Sequence, residues 1–170
     1  MKKILFILLS IAAFCFASCA FRVSYTLSGA SIPVDAKTFS VAYFPNNATM
    51  VAPVLSSTLT DELKNIYLSR TSLTEVGAGG DFAFEGEITT YTSTTSSVSS
   101  GDYALMNRLT LGVKVRFTNV IDDTKSFNKS FSAYQDYPST SLLTEVEDTL
   151  IPELVEEIVL DIFQASASDW

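Results

Sequence analysis

Apolar and polar residues alternate in four stretches of the chain, as they do in strands that bury one face. The stretches are residues 38–44, 82–91, 108–118 and 126–134. In the second stretch, one face is predicted to hold Phe82, Phe84, Gly86 and Ile88, and the other Glu85, Glu87 and Tyr91. The third stretch has the clearest pattern, with its apolar face formed by Leu109, Leu111, Val113, Val115 and Phe117. The sequence therefore predicts four strands.

Two other stretches have the spacing of amphipathic helices. After Pro53, apolar residues recur at Leu55, Leu59, Leu63 and Ile66 or Tyr67. Near the C-terminus a wide apolar face is formed by Leu150, Leu154, Ile158 and Ile162. Thr144 and Glu147 fit a capping box at the start of this second helix. Pro152 falls inside its pattern and should kink the helix or split off its first turn.

The predicted order of elements is β-α-β-β-β-α, an α+β two-layer sandwich with two helices packed on one face of a four-stranded sheet. This arrangement leaves the other face of the sheet uncovered, and we expect function to lie there. The segment Thr92–Gly101 is almost entirely Ser and Thr. It is predicted to form a loop or a frayed hairpin tip.

The N-terminus has the pattern of an export signal: Lys2 and Lys3, an apolar run from Ile4 to Phe16, and small residues before Cys19. Small residues followed by cysteine resemble a bacterial lipobox, although Phe16 stands where Leu is usual. We expect residues 1–18 to be removed by cleavage between Ser18 and Cys19, and Cys19 to be diacylated. The alternative is an ordinary cleaved signal with a buried cysteine. Cys15 is a poorer candidate because bulky Phe14 precedes it.

The remaining 152 residues are enough for one domain with a substantial core. We divide them into a lipidated tether, residues 19–36, and a folded domain, residues 37–166. They contain nine basic and 19 acidic side chains, a formal net charge of −10. Such a chain lacks the basic footprint that nucleic-acid binding requires. Attachment to a membrane should therefore depend on the lipid anchor.

The absence of histidine from the whole chain removes the usual nucleophile–histidine catalysis and most zinc sites. Glu85 and Glu87 have the separation of paired glycosidase carboxylates, but neighbours on one strand cannot flank a substrate. Asp122 and Asp123 lack the further ligands of a calcium loop. Residues 77–80 lack the Lys-Ser/Thr of a phosphate-binding loop. The sequence therefore predicts no enzyme activity, cofactor or metal.

Three of the basic residues, Arg108, Lys114 and Arg116, share the predicted uncovered face of one strand. They could be solvated or paired with Glu85 and Glu87 on the neighbouring strand. They could instead form an anion site on an acidic surface, because guanidinium and ammonium groups bind phosphate.

Several segments, in this order, resemble a distant branch of the LptE family of lipopolysaccharide-assembly lipoproteins: Ser28–Ile32, Thr38–Val41, Tyr43–Asn46, Phe84–Ile88, Asn107–Thr110, Lys114–Phe117, Phe131–Tyr134 and Tyr137-Pro138. The resemblance spans nearly all of residues 24–164 and rests on length and order, since no single motif is diagnostic. It implies the same fold, two helices against a four-stranded sheet.

The resemblance also implies a function without catalysis. Members of the family plug the large outer-membrane β-barrel LptD, help it assemble, and bind lipopolysaccharide on its way to the cell surface. Arg108, Lys114 and Arg116 are then the candidates for contact with lipopolysaccharide phosphates, and Thr92–Gly101 is a candidate contact with the barrel. Ala20 after the cysteine, where Asp would resemble an inner-membrane retention signal, favours a lipid-anchored protein of the outer membrane that faces the periplasm.

Two other functions remain open. A free-standing, periplasm-facing lipoprotein could bind a lipid or another amphipathic ligand as an auxiliary subunit of a different envelope transporter. That function requires an apolar cavity between helices and sheet, whereas a plug requires a filled core. Phe82, Phe84, Leu111 and Phe131 would line the cavity in the first case and pack against the helices in the second. A structural surface lipoprotein without a ligand is the third possibility.

Overall fold

The computed structural model describes residues 32–96 and 105–167, which form one sheet and two long helices. The elements, in chain order, are β1 (Thr38–Val41), α1 (Leu55–Arg70), β2 (Thr74–Glu75), β3 (Phe82–Ser96), β4 (Met106–Asn119), a short 3₁₀ helix (Asp123–Lys125), β5 (Phe127–Pro138) and α2 (Leu143–Ala167). The predicted signal peptide, its cleavage at Ser18–Cys19 and the lipidation of Cys19 lie outside the described residues.

The sheet has the strand order β2-β1-β3-β4-β5. β1 runs parallel to β2 and β3, and the long strands β3, β4 and β5 form an antiparallel meander. The α+β class and the helix-on-sheet arrangement are confirmed, but the sheet has five strands rather than four. The additional strand, β2, is only two residues long, which is too short for an alternating pattern to reveal.

One face of the sheet carries the core, and none of the described elements covers the other, which we call the uncovered face. On β4 the core-facing residues are all buried: Leu109, Leu111, Val113, Val115 and Phe117. The helices contribute Leu55, Leu59, Leu63, Leu154, Ile158 and Ile162 to the same core. On the opposite face, Lys114, Arg116 and Thr118 are exposed. The alternation of the sequence thus correctly separates the two faces of this strand.

The end of the sheet where β3 begins, which we call the proximal end, is held by aromatic side chains. The buried ring of Tyr67 on α1 lies 5.4 Å from the Phe39 ring, 4.9 Å from Phe84 and 5.2 Å from Phe163 on α2. Its hydroxyl also bonds with Ser166. One side chain therefore joins both helices and the sheet, at the end where the chain enters β1 and α2 finishes.

The opposite, distal end has a thinner cover. A 16-residue helix such as α1 spans about 24 Å, whereas a 15-residue strand such as β3 spans about 50 Å. Because α1 packs at the proximal end, the first turns of α2 are the only described helix over the distal half of the meander. There the hydroxyl of Tyr91 on β3 donates a 2.6 Å hydrogen bond to Glu147 on α2.

Two predictions on β3 are wrong. The register of β3 against β4 shifts between Ile88 and Thr90, so that one additional residue stands on β3. The bulge turns Tyr91 into the core, where it is 1% exposed, instead of leaving it beside Glu87. In addition, residues 92–96 form the distal part of the strand rather than a loop, since they pair with residues 106–110 of β4. Residues 97–101 lie outside the described residues.

The start of α2 also differs from its prediction. The helix begins at Leu143, so Thr144 lies inside its first turn and does not cap it. Glu145 accepts a 3.2 Å hydrogen bond from the backbone N–H of Leu142, as the acidic member of a capping box does. Glu147 instead faces the sheet. Pro152 lies inside one 25-residue helix and does not divide it into two.

Candidate functional site on the uncovered sheet face

On the uncovered face, side chains are aligned in rows that cross β3, β4 and β5, with one residue from each strand in a row. One row aligns Glu85, Arg116 and Asn128, and the next aligns Glu87, Lys114 and Ser130. Further toward the distal end, Thr94, Arg108 and Asp136 form another row. Between these charged rows the face carries only small or hydroxyl-bearing residues and one exposed ring: Thr90, Thr92, Thr110, Gly112, Ser132 and Tyr134.

The three predicted basic residues do not form one cluster. Lys114 and Arg116 are successive residues on this face of β4, but Arg108 is six positions from Lys114. At about 3.3 Å per residue, that separation is about 20 Å along the strand. The structure therefore brings two of the three cations together near the proximal half and places the third in the distal half.

The guanidinium group of Arg108 contacts a carboxylate through its edge and an aromatic ring through its face. Nε and Nη2 donate hydrogen bonds of 2.7 and 2.9 Å to the two carboxylate oxygens of Asp136. The same group lies 3.8 Å from the centre of the Tyr134 ring. The hydrogen-bonded Asp136 raises the pKa of Arg108, and Arg108 lowers the pKa of Asp136. Sequence reasoning missed Tyr134 and Asp136, although their spacing of two along β5 indicates a shared face.

Arg116 forms an ion pair with Glu85, the residue directly opposite it on β3. The hydrogen bond to this carboxylate raises the pKa of Arg116. Both side chains are exposed, so the pair contributes little to stability. It does, however, neutralise much of the field of Arg116, because the carboxylate stays within contact distance.

Lys114 is different, because it has no ion-pair partner among the described residues. Its cross-strand neighbour, Glu87, instead accepts a 2.7 Å hydrogen bond from the side-chain amide of Asn47. Lys114 and Glu87 line an open groove of about 380 Å³ together with Pro45, Glu85, Gly86, Arg116 and Asn128. The groove presents one unpaired ammonium group among hydrogen-bonding side chains, an arrangement that can hold a single anionic group.

We also searched the described part of the chain for metal-binding groups and for helices that could cross a membrane. Across residues 32–96 and 105–167, no three His, Cys, Asp or Glu side chains are grouped as they would be to bind a metal ion. Within the same residues, neither helix combines the length and the apolar character needed to cross a bilayer.

Comparison with protein families identifies the family of this chain. The model of the lipopolysaccharide-assembly family LptE matches residues 36–166, most of the chain. This protein belongs to the LptE family. Members of the family are non-enzymatic accessory lipoproteins that act in lipopolysaccharide assembly at the outer membrane. A search of curated protein sequences gives no match.

Solved structures with the same fold are distant in sequence. Lipoprotein B of Nitrosomonas europaea matches with a TM-score of 0.53 at 14% identity, over 87% of this chain and 91% of its own. A minor lipoprotein of Acinetobacter baumannii matches with a TM-score of 0.50 at 15% identity, over 77% of this chain and 93% of its own. The Chlamydia trachomatis protein CT253 matches with a TM-score of 0.50 at 11% identity, over 77% of this chain and 98% of its own. At such low identity these likenesses support the fold alone.

Proposed function

We propose that this LptE-family protein plugs an LptD-type outer-membrane β-barrel, helps it assemble, and takes part in the insertion of lipopolysaccharide. The observation that carries this proposal is the uncovered sheet face, which is polar and has two of its three basic residues neutralised by carboxylates of the same face. Such a surface can dock against a polar barrel wall without burying unpaired guanidinium groups. The protein acts as a binding partner and does not catalyse a reaction.

The proposed location follows from the N-terminal sequence. A signal peptide of residues 1–18 is removed, and diacylated Cys19 anchors the protein in the outer membrane so that it faces the periplasm. Residues 19–36 form the tether, and residues 37–166 form the plug domain, whose distal half meets the barrel. The distal end, which carries residues 92–96 of the Ser/Thr-rich segment Thr92–Gly101, is the part proposed to contact the barrel wall.

Lys114 is the residue proposed to make the main contact with a lipopolysaccharide phosphate. Its ammonium group is unpaired and lies in the groove beside Glu87. Arg116 and Arg108 remain candidates, but each would have to leave or share a carboxylate to bind phosphate. We therefore rank Lys114 first, Arg116 second because it lines the same groove, and Arg108 third.

The alternative of a free-standing carrier for a lipid is disfavoured by the core. Phe82, Phe84 and Leu111 are each no more than 1% exposed and belong to one continuous hydrophobic cluster. Phe131 is partly buried against the same cluster. Phe82, Phe84 and Leu111 therefore belong to a filled core and do not line a cavity for an acyl chain.

Co-purification tests the plug directly. A C-terminally tagged copy is extracted from native envelopes in mild detergent, and its partners are identified by mass spectrometry. We expect one large β-barrel protein in a ratio near one to one. Recovery of the lipoprotein alone, or with an inner-membrane transporter, would contradict the proposal.

The phosphate contact is tested by binding of purified lipopolysaccharide. Lys114→Glu should weaken binding several-fold, because it places a second carboxylate beside Glu87 in the groove. Lys129→Glu is the matched control, since Lys129 lies over the Phe127 ring on the other side of the sheet. Equal losses in the two variants would show that only overall charge matters and would exclude a local site at Lys114.

A further inference from the structure

The turn that follows β4 exposes two adjacent apolar side chains. Val120 is 68% exposed and Ile121 is 40% exposed. Tight turns usually carry Gly, Pro, Asn, Asp or Ser, because these residues suit the backbone and tolerate water. Two β-branched apolar residues at such a place are therefore unexpected.

Hydrogen bonds hold these two side chains outward. The side-chain oxygen of buried Asn119 accepts bonds of 2.9 and 3.0 Å from the backbone N–H groups of Ile121 and Asp122. The Asp122 carboxylate in turn accepts a 3.1 Å bond from the N–H of Thr124. Because the polar groups of the turn are bonded internally, Val120 and Ile121 are presented at a fixed position.

The same turn is linked to the place where the chain enters the fold. The backbone carbonyl of Asp81 accepts a 2.9 Å bond from the N–H of Val120. The carboxylate of Asp81 accepts bonds of 2.8 and 2.9 Å from the N–H groups of Lys37 and Thr38. Three residues before Lys37, Val34 is 84% exposed. Asp81 therefore ties the exposed turn and the start of β1 together at the proximal end.

We propose that Val34, Val120 and Ile121, which we call the proximal apolar tip, contact the lipid surface that holds the anchor. This inference rests on the lipidation of Cys19 in the proposed function. Cys19 precedes Val34 by 15 residues, so an extended tether reaches at most about 50 Å. Because the chain enters the fold at Val34, the proximal end is the part of the domain attached nearest to the anchor, and exposed apolar side chains there gain free energy by leaving water.

The charges at this end are mixed. Asp35, Asp81, Asp122 and Asp123 lie near the tip together with Lys37 and Lys125, and the carboxylate of Asp81 is bonded within the fold. This end therefore holds basic residues among its acidic ones, whereas the chain after Lys129 carries nine acidic and no basic residues. A lipid surface is thus a more favourable neighbour for this end than for the rest of the protein.

A single-cysteine label tests the contact. The processed chain contains only Cys19, whose thiol the lipid blocks, so an introduced cysteine is the one thiol open to a polarity-sensitive fluorophore. Ile121→Cys places the label on the tip. Leu142→Cys, which replaces a 66% exposed residue at the distal end, is the matched control. Both full-length lipidated proteins are incorporated into phospholipid vesicles without any barrel protein, and quenching by lipids with nitroxide-labelled acyl chains is measured.

We expect blue-shifted emission and several-fold stronger quenching for the Ile121→Cys label than for the Leu142→Cys label. Replacing Val34 and Val120 with Ser in the Ile121→Cys protein should reduce that quenching. Equal quenching at the two sites, or water-like emission at both while mass spectrometry shows lipidated Cys19, would overturn the inference. A response at the tip that requires added barrel protein would also overturn it. None of these outcomes bears on co-purification with the barrel, which tests the proposed function separately.

Discussion

Gly86 shows how one residue allows the chain after β1 to lie against the sheet. A Cβ atom at this position would stand 2.6 Å from Cε1 of the Phe44 ring and closer still to the carbonyl oxygen of Lys114. Phe44 itself is fully buried. The absence of a side chain at Gly86 is therefore required for Phe44 to complete the core, and Gly86 also lines the groove that contains Lys114.

Gly86→Ala should accordingly lower the free energy of unfolding by about 1–3 kcal/mol, because either the ring or the β4 backbone must move. Urea denaturation monitored by circular dichroism measures the change. Gly77→Ala is the control, because a Cβ atom there has no neighbour within 4 Å. Similar losses in both variants would show that backbone freedom, and not the close contact, accounts for the effect.

Asp81 makes the stability of the fold depend on pH. Hydrogen bonds from the backbone N–H groups of Lys37 and Thr38 lower the pKa of its carboxyl group from the ordinary value of 3.8. Because the folded pKa is below the unfolded one, the carboxylate stabilises the fold above the unfolded value and loses that effect as the pH falls through the folded value.

Asp81→Asn should therefore be less stable than the parent protein at neutral pH, and the difference should shrink in acid. Unfolding midpoints in urea between about pH 7 and about pH 3 test this dependence. Asp123→Asn, at an exposed position in the 3₁₀ helix, is the control. A gap between Asp81→Asn and the parent that stays constant across this range would contradict the role assigned to the carboxylate.

At the scale of elements, α2 and β3 are joined by the Tyr91–Glu147 hydrogen bond of 2.6 Å. Burial, and then the carboxylate, raise the pKa of the Tyr91 hydroxyl, so it stays protonated and donates at physiological pH. Tyr137 makes a similar link on β5 through a 2.6 Å bond with Ser93. These polar contacts hold the strands of the distal half together and join them to α2.

A double-mutant cycle of Tyr91→Phe and Glu147→Gln should give a coupling free energy of about 1–2 kcal/mol, since the bond joins a hydroxyl to a charged acceptor. Each single variant is expected to destabilise the protein. Tyr134→Phe, on the uncovered face, is the control and should change stability much less. Additive effects in the cycle would mean that the two groups act independently.

The same elements show what a sequence pattern can predict. Alternation along residues 108–118 correctly predicts both faces of β4, because each core-facing residue there is apolar and no residue interrupts the period. The pattern fails at Tyr91, since the bulge between Ile88 and Thr90 depends on pairing with β4 and leaves no local mark. It fails for residues 92–96 because Ser and Thr are equally common in loops and on polar strand faces.

The candidate site likewise has one property that the sequence predicts and one that it does not. The sequence places Arg108, Lys114 and Arg116 on one face, because position along a strand fixes direction. It cannot say which of them is paired, since the partners lie on other strands at registers set by the whole sheet. Asp136 pairs with Arg108, and Asn47 donates a hydrogen bond to Glu87, which forms no ion pair with Lys114 among the described residues. These long-range contacts are what make Lys114 the distinctive cation.

At the scale of the whole molecule, protection from solvent should decrease from the proximal to the distal end. Within residues 32–96 and 105–167, two helices cover the proximal half of the sheet and α2 alone covers the distal half. Local opening needs less free energy where fewer apolar contacts must separate. The distal half is also the part proposed to meet the barrel.

Amide hydrogen exchange should therefore be slower in residues 82–88 than in residues 90–96 of β3, although both belong to one strand. Exchange followed by mass spectrometry on peptides from the two segments measures the difference. Binding of the barrel should slow the distal segment selectively. Uniform protection along β3 in the free protein would show instead that the sheet opens as a single unit.

The two ends of the domain meet at the proximal end, on either side of Tyr67, which contacts Phe39 in β1 and Ser166 in α2. This proximity makes the chain suitable for circular permutation. A short linker could join the two ends, and the chain could be opened in the turn at residues 139–141, which separates β5 from α2. The permuted protein would carry its lipid at the distal end while every surface side chain kept its place. Circular permutation would thus reverse the end of the domain that faces the bilayer, without a change to the surface itself.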